Sequence, residues 1–278
     1  MEVMEKSLTY TANKENMKLT VEIIDTVKSV LEYDKKQKHP LFLKIRDSFL
    51  YQIIKRATTQ KKEDTFLIGI AGESASGKTT FVQNAMKAMV GEKNSGLYTV
   101  VCCDDYYKDT SKELIEAGSY EALFSAGFSF DTPFAVDLDL MHEHLKVLKS
   151  GKGFVSPVYD FITCERKEGE YKKPAKIILN EGLYVLNEGL RDIMDVKVYI
   201  YTPFDVIKER WFKRAISRGK TGEAAQMQFK DVNTTAQTYI RPVLQISDVI
   251  LNGLSEAEYI TELTAIMYDK IKKIIKSN

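Results

Sequence analysis

The residues with the clearest chemistry are Gly72-Glu73-Ser74-Ala75-Ser76-Gly77-Lys78-Thr79, which fit the pattern GxxxxGK[ST]. They follow the apolar run TFLIGI (65–70) and precede a segment, Thr80–Val90, that reads as a helix ending near Gly91. Strand, loop and helix in that order make a phosphate cradle. Glycines let the backbone wrap close enough to aim its N–H groups at phosphate oxygens, and the helix N-terminus adds the positive end of its dipole. Lys78 is expected to neutralise the β- and γ-phosphates, and the Thr79 hydroxyl to reach Mg²⁺. Gly72 through Thr80 are therefore the expected binding stretch for ATP.

Three further groups stand where a sheet would deliver them. The run LYTVVCC (97–103) leads into Asp104-Asp105-Tyr106-Tyr107. A carboxylate there can take a proton from an acceptor hydroxyl, work worth about 10²–10⁴ in rate. Asp104 is the expected base; Asp105 could take that role or support metal or solvent, and turn aspartates beside packing tyrosines would look the same. The run KIILN (176–180) ends beside Glu181-Gly182, and an acid after an apolar strand suits a second magnesium partner, directly or through water. In FDVIKERWFKRAISRGK (204–220), Ile207, Trp211 and Ala215 form a packing stripe at helical spacing. Arg210, Arg214 and Arg218 run along an adjacent face. Such a face is usually solvated, but in phosphoryl transfer arginines on a mobile helix stabilise the transferring group and close the site to water. Gly219 and Gly222 would then serve a hinge or turn.

A place for the acceptor is offered by Phe130-Asp131-Thr132-Pro133 and Pro157-Val158-Tyr159-Asp160-Phe161. An aspartate can accept two hydrogen bonds from vicinal ribose hydroxyls, and Tyr159 and Phe161 could stack on a base. A packed β-hairpin with a Pro-bounded turn would use the same residues.

These groups need a scaffold. TFLIGI, LYTVVCC, KIILN, VKVYIY (196–201) and DVIL (248–251) are near-continuous apolar runs separated by helical segments. That predicts an α/β fold with a parallel sheet of five strands covered on both faces, its ligands at the carboxyl ends of the strands. Residues 63–278 make that domain, with a lid over about 205–230. Residues 1–62 read as a helical extension, because Leu19, Ile23, Ile24, Val27 and Leu31, then Leu41, Ile45, Phe49 and Ile53, recur at helical spacing.

Net charge is +1, so nothing suggests a nucleic-acid surface or a polybasic membrane anchor, and a small substrate is expected. An acid-bearing N-terminus without an apolar core and the lack of an apolar run near ~20 residues point to the cytoplasm. The cysteines, Cys102, Cys103 and Cys164, show neither disulfide nor zinc spacing. A homo-oligomer is left open.

The set GESASGKTT, DDYYK, FDTPFAVD, PVYDF, EGLYVL and the arginine helix, in order over 66 to about 252, resembles the uridine kinase group of the phosphoribulokinase/uridine kinase family. The resemblance implies a P-loop kinase core and transfer of the ATP γ-phosphate to the 5′-hydroxyl of uridine or cytidine. It also implies that Asp104 is the base, Tyr107 a nucleoside contact, Asp131 the ribose-binding aspartate and Tyr159 the aromatic near the base. Gln228 matches a glutamine that follows the lid. Cys164 stands where the family has a pyrimidine-contacting histidine, and Thr132 and Phe134 replace a His and an Asp. The lid reads RAISRG, one residue shorter than the family's pattern, so the register of Arg210, Lys213 and Arg214 stays open. A kinase of a sugar phosphate, pantothenate or glycerate remains an alternative, as does an ATP-dependent switch with no acceptor.

Overall fold

The computed structural model describes residues 14–59, 65–88, 97–119, 122–123, 126–217 and 221–277. Its main sheet contains Phe42–Ile45 (β1), Phe66–Gly72 (β2), Tyr98–Cys102 (β3), Ile177–Gly182 (β6), Val196–Tyr201 (β7) and Val249–Asn252 (β8). A separate antiparallel hairpin is made by Phe154–Asp160 (β4) and Glu165–Lys172 (β5). The order across the main sheet is β1-β8-β7-β2-β6-β3, and every pair but β1–β8 is parallel.

This corrects two expectations: the sheet has six strands rather than five, and the N-terminal extension is not helical throughout. Lys14–Asp34 (α1) and Asp47–Thr59 (α2) are helices, but β1 lies between them and pairs antiparallel with β8. Leu41 and Ile45 have the four-residue spacing of a helix face. However, Pro40 disfavours helix at His39, and Asp47 supplies the acid of a new helix's first turn. β1 is only half-buried at its ends, so it shows no two-residue alternation for the eye to catch. Asp34, fully buried, fixes the junction: its carboxylate accepts from the backbone N–H groups of Leu41 (2.7 Å) and Phe42 (2.8 Å) and from the Tyr259 hydroxyl (2.6 Å).

Both faces of the sheet are covered. On one, Ile70, Leu179, Val198, Ile200 and Leu251 pack on Val82 of Lys78–Lys87 (α3) and on Ile260 and Leu263 of Ala257–Ser277 (α8). On the other, Leu67, Val101, Ile178 and Tyr199 meet Met141, Leu145 and Leu148 of Leu138–Lys149 (α5). Ser111–Ala117 (α4) lies between β3 and α5 in the chain. Phe204–Ser217 (α6) and Gly222–Thr235 (α7) span the segment expected to be a lid and share a small core of Trp211, Ala215, Ala225, Phe229 and Val232. Among the described residues, no helix is long and apolar enough to cross a membrane.

Candidate active site

The carboxyl ends of β2, β3, β6 and β8 open into one cavity of about 1050 Å³, with the lid on its flank. Ser74 to Thr80 of the glycine loop, apart from the buried Ser76, line part of it. Gly77 precedes α3 with φ +98°, a conformation that disfavours any residue with a Cβ, and Ala75 takes φ +65° despite having one. Left-handed residues in a tight loop of this kind favour an anion nest, in which successive N–H groups face inward. The loop is braced from beneath, where the Thr202 hydroxyl donates to the Ser76 carbonyl (2.8 Å). Lys78 Nζ donates to the carbonyls of Gly72 and Glu73, each at 2.9 Å. Burial holds its pKa below the usual lysine value, and the charges of Glu181 and Asp104 act against that shift.

At the end of the loop, Thr79 Oγ1 donates to Glu181 Oε1 at 3.2 Å, and the Cys102 thiol donates to the same oxygen at 3.6 Å. Burial raises the Glu181 pKa, with Lys78 pulling the other way. Gly182 lets β6 pass close to β3 at this point: a Cβ there would collide with Cys103 Cβ. Beyond β3 the chain enters a tight turn, Cys103–Tyr106, that sets Asp104 at the cavity wall. Asp105 is not part of that wall. Burial pushes its carboxyl up to about 6, with Lys172 opposing and Asp104 adding to the shift. The two adjacent acids thus face different surroundings.

The lid register is resolved by geometry. Arg210 and Arg214 line the cavity; Arg210 Nη1 donates to the Gly253 carbonyl (3.0 Å) and Arg214 Nη2 to Ser74 Oγ (2.5 Å). Lys213 pairs instead with Glu209 on the exposed side. Ile207, Trp211 and Ala215 are buried, as their spacing predicts. Arg218 lies outside the described residues.

The same cavity is also lined by Tyr107, Phe130, Asp131 and Phe161, and by Gln228 of α7. Tyr107 packs edge-on to Phe161 (5.3 Å between centroids) and Phe130 (6.1 Å), giving an apolar wall around one carboxylate. Burial pushes the Tyr107 hydroxyl well up, reinforced by the charges of Asp104 and Asp131, so it stays a neutral donor. Tyr159 and Cys164 do not line the cavity. Tyr159 backs Tyr107 at 5.3 Å and lies near the Thr110 hydroxyl (3.4 Å). Cys164 is 0% exposed and sits with φ +55° at the end of the β4–β5 turn, where its carbonyl accepts from Thr110 N. That hairpin is also what presents Phe161 and Ile162, so the packed hairpin and the cavity wall are the same object.

Sequence reasoning missed Asn252 and Gly253, which line the cavity just past β8. The rule that ligands gather at strand carboxyl ends could have found them. It also missed Arg241, which grips Glu73 from a segment with no regular pattern.

A model of the Phosphoribulokinase / Uridine kinase family matches residues 67–259, which include the loop, both acids after the strands and the lid. The chain belongs to that family. A uridine kinase from Staphylococcus aureus (strain JH9) is 35% identical over 191 residues, covering 67% of this kinase and 87% of the relative. The fold is shared with a candidate fructose transport system kinase from Silicibacter sp. TM1040, with a TM-score of 0.51 and 21% identity over 71% of this kinase and 93% of that chain. The protein is thus an ATP-dependent small-molecule kinase with the α/β fold of P-loop kinases.

Proposed function

We propose that this kinase transfers the ATP γ-phosphate to the 5′-hydroxyl of a pyrimidine nucleoside, uridine or cytidine. The observation that carries the reading is that one cavity is lined by the glycine loop, by Asp131 together with Tyr107, Phe130 and Phe161, and by Asp104. Asp131 accepts from the vicinal ribose hydroxyls, and Tyr107 and Phe161 bound the base. Among the described residues that line the cavity the cations are Lys78, Arg210 and Arg214, which belong to the loop and α6, so none is added beside Asp131 to receive a second phosphate. The similarity to a relative named uridine kinase points the same way.

In this reading Asp104 takes the proton of the attacking hydroxyl. Arg210 and Arg214 offset charge on the transferring phosphoryl group, and Arg218 would join them as the lid closes. Thr79 and Glu181 suit Mg²⁺: a hydroxyl and a carboxylate face each other beside the phosphate site, and Mg²⁺ takes one or two such ligands plus phosphate oxygens. Bound there, the ion would neutralise charge on the β- and γ-phosphates.

The test is an ADP-release screen with ATP and magnesium over nucleosides, sugar phosphates, pantothenate and glycerate. Turnover with uridine or cytidine well above the rest is expected. Preference for a sugar phosphate or pantothenate would overturn the acceptor, and nucleotide binding with no ADP release for any compound would favour a switch.

A further inference from the structure

The phosphate loop carries an acid in a place built to hold anions. Glu73 is its second residue, and its side chain is only 13% exposed. Its backbone belongs to the cradle, since its carbonyl accepts from Lys78 Nζ (2.9 Å) and from Ser76 N (3.0 Å). Its side chain is held by Arg241. Nε donates to Oε1 at 3.0 Å and Nη2 to Oε2 at 2.9 Å, a bidentate fork in which both carboxylate oxygens are taken.

Arg241 is itself fixed by groups outside the loop. Nη2 also donates to Asn233 Oδ1 on α7 (2.7 Å), and the guanidinium lies 5.5 Å from the centre of the Phe204 ring at the start of α6. The direction of the Glu73 carboxylate is therefore set by the lid side of the molecule. Unpaired, that carboxylate would sit inside the screening distance of about 8–10 Å from a polyphosphate on the same loop, in a partly buried setting where repulsion is strong.

We propose that Arg241 is a positioning residue for the nucleotide: it neutralises the Glu73 carboxylate and holds it out of the phosphate cradle. The loop can then offer its N–H groups and Lys78 to ATP without an opposing charge. This rests on ATP as the donor at this loop. A pair that served the fold alone would alter the melting temperature and leave ATP affinity as it was.

Calorimetric titration with ATP, without acceptor, separates the two, with thermal unfolding run on each variant. Arg241→Ala is expected to weaken ATP about 10-fold at low salt, an effect that shrinks as ionic strength rises. Glu73→Gln leaves a cation without its partner and is expected to bind ATP a few-fold tighter. The double variant should return to near the wild-type affinity, because the acid that needed restraint is gone. If Arg241→Ala does not fold, Arg241→Gln, which keeps a planar donor without the charge, must show the loss. Unchanged affinity in the arginine variant, or a double variant as weak as Arg241→Ala, would overturn the proposal. A wild-type protein that fails to bind ATP would instead overturn the donor assignment on which the proposal stands.

Discussion

Two groups of residues line the cavity, and they are built in different ways. The side proposed for the donor is founded on one contiguous stretch, Gly72 to Thr80, whose shape follows from local backbone geometry and the start of a helix, with Glu181, Arg210 and Arg214 added around it. The side proposed for the acceptor is assembled from Tyr107, Phe130 and Asp131, Phe161 and Gln228, four separate places in the chain. A contiguous cradle reads a feature every nucleoside triphosphate shares. An assembled wall can change one piece at a time. Asp104 belongs to neither group and should govern the chemical step alone.

The largest effect expected is therefore at Asp104. Asp104→Asn should lower kcat by about 10²–10⁴ with ATP affinity retained, because the amide cannot accept the proton. Wild-type turnover would show that this acid is not the base. Its neighbour should behave in the opposite way. The Asp105 carboxyl is raised to about 6 from an ordinary 3.8, so the folded state holds its proton more tightly than the unfolded one. Stability then falls as pH climbs from about 4 to 6, and the cost is fully present at pH 7. Asp105→Asn removes that cost: it should be more stable than wild type at pH 7, by about 1 kcal/mol once solvent screening of this half-buried group is counted, with the gap closing near pH 4. Turnover should persist. Denaturant melts at the two pH values and a kcat measurement check both halves.

Next in size is Asp131→Asn, which tests whether the acceptor side acts independently. The KM for the nucleoside should rise about 10–100-fold, as expected when one charged hydrogen-bonding partner is lost, while the KM for ATP stays put. A parallel rise in both would mean that the two sides are coupled and the comparison is wrong.

The same contrast explains what could be read from the sequence. The five parallel strands were legible because each is a short apolar run, and the donor loop because its signal is contiguous. β1 was not, since an edge strand with two exposed central residues has no two-residue pattern and Leu41 and Ile45 mimic a helix face. The lid register was ambiguous because RAISRG is one residue shorter than the family's pattern, which leaves open which of Arg210, Lys213 and Arg214 faces the site. Only packing of Trp211 inward decides that Arg214 faces the cavity and Lys213 the solvent. The Arg241–Glu73 fork joins residues 168 apart, and no local pattern encodes it.

The smallest effect is expected at Cys164, and it separates alignment from geometry. Its position matches a family residue that contacts the base, which would make Cys164→His a gain in pyrimidine preference. The side chain is instead wholly buried beneath the β4–β5 turn, on a backbone at φ +55°. An imidazole there must displace packed neighbours, at a cost of about 1–3 kcal/mol. In a protein of this size that is roughly a 2–12 °C drop in melting temperature. The ratio of kcat/KM values for uridine and its competitors should not move, because the cavity wall is supplied by Phe161 and Tyr107 in front of it. A shifted acceptor ratio with unchanged melting would place the residue 164 side chain at the base, and the turn would have to open to put it there.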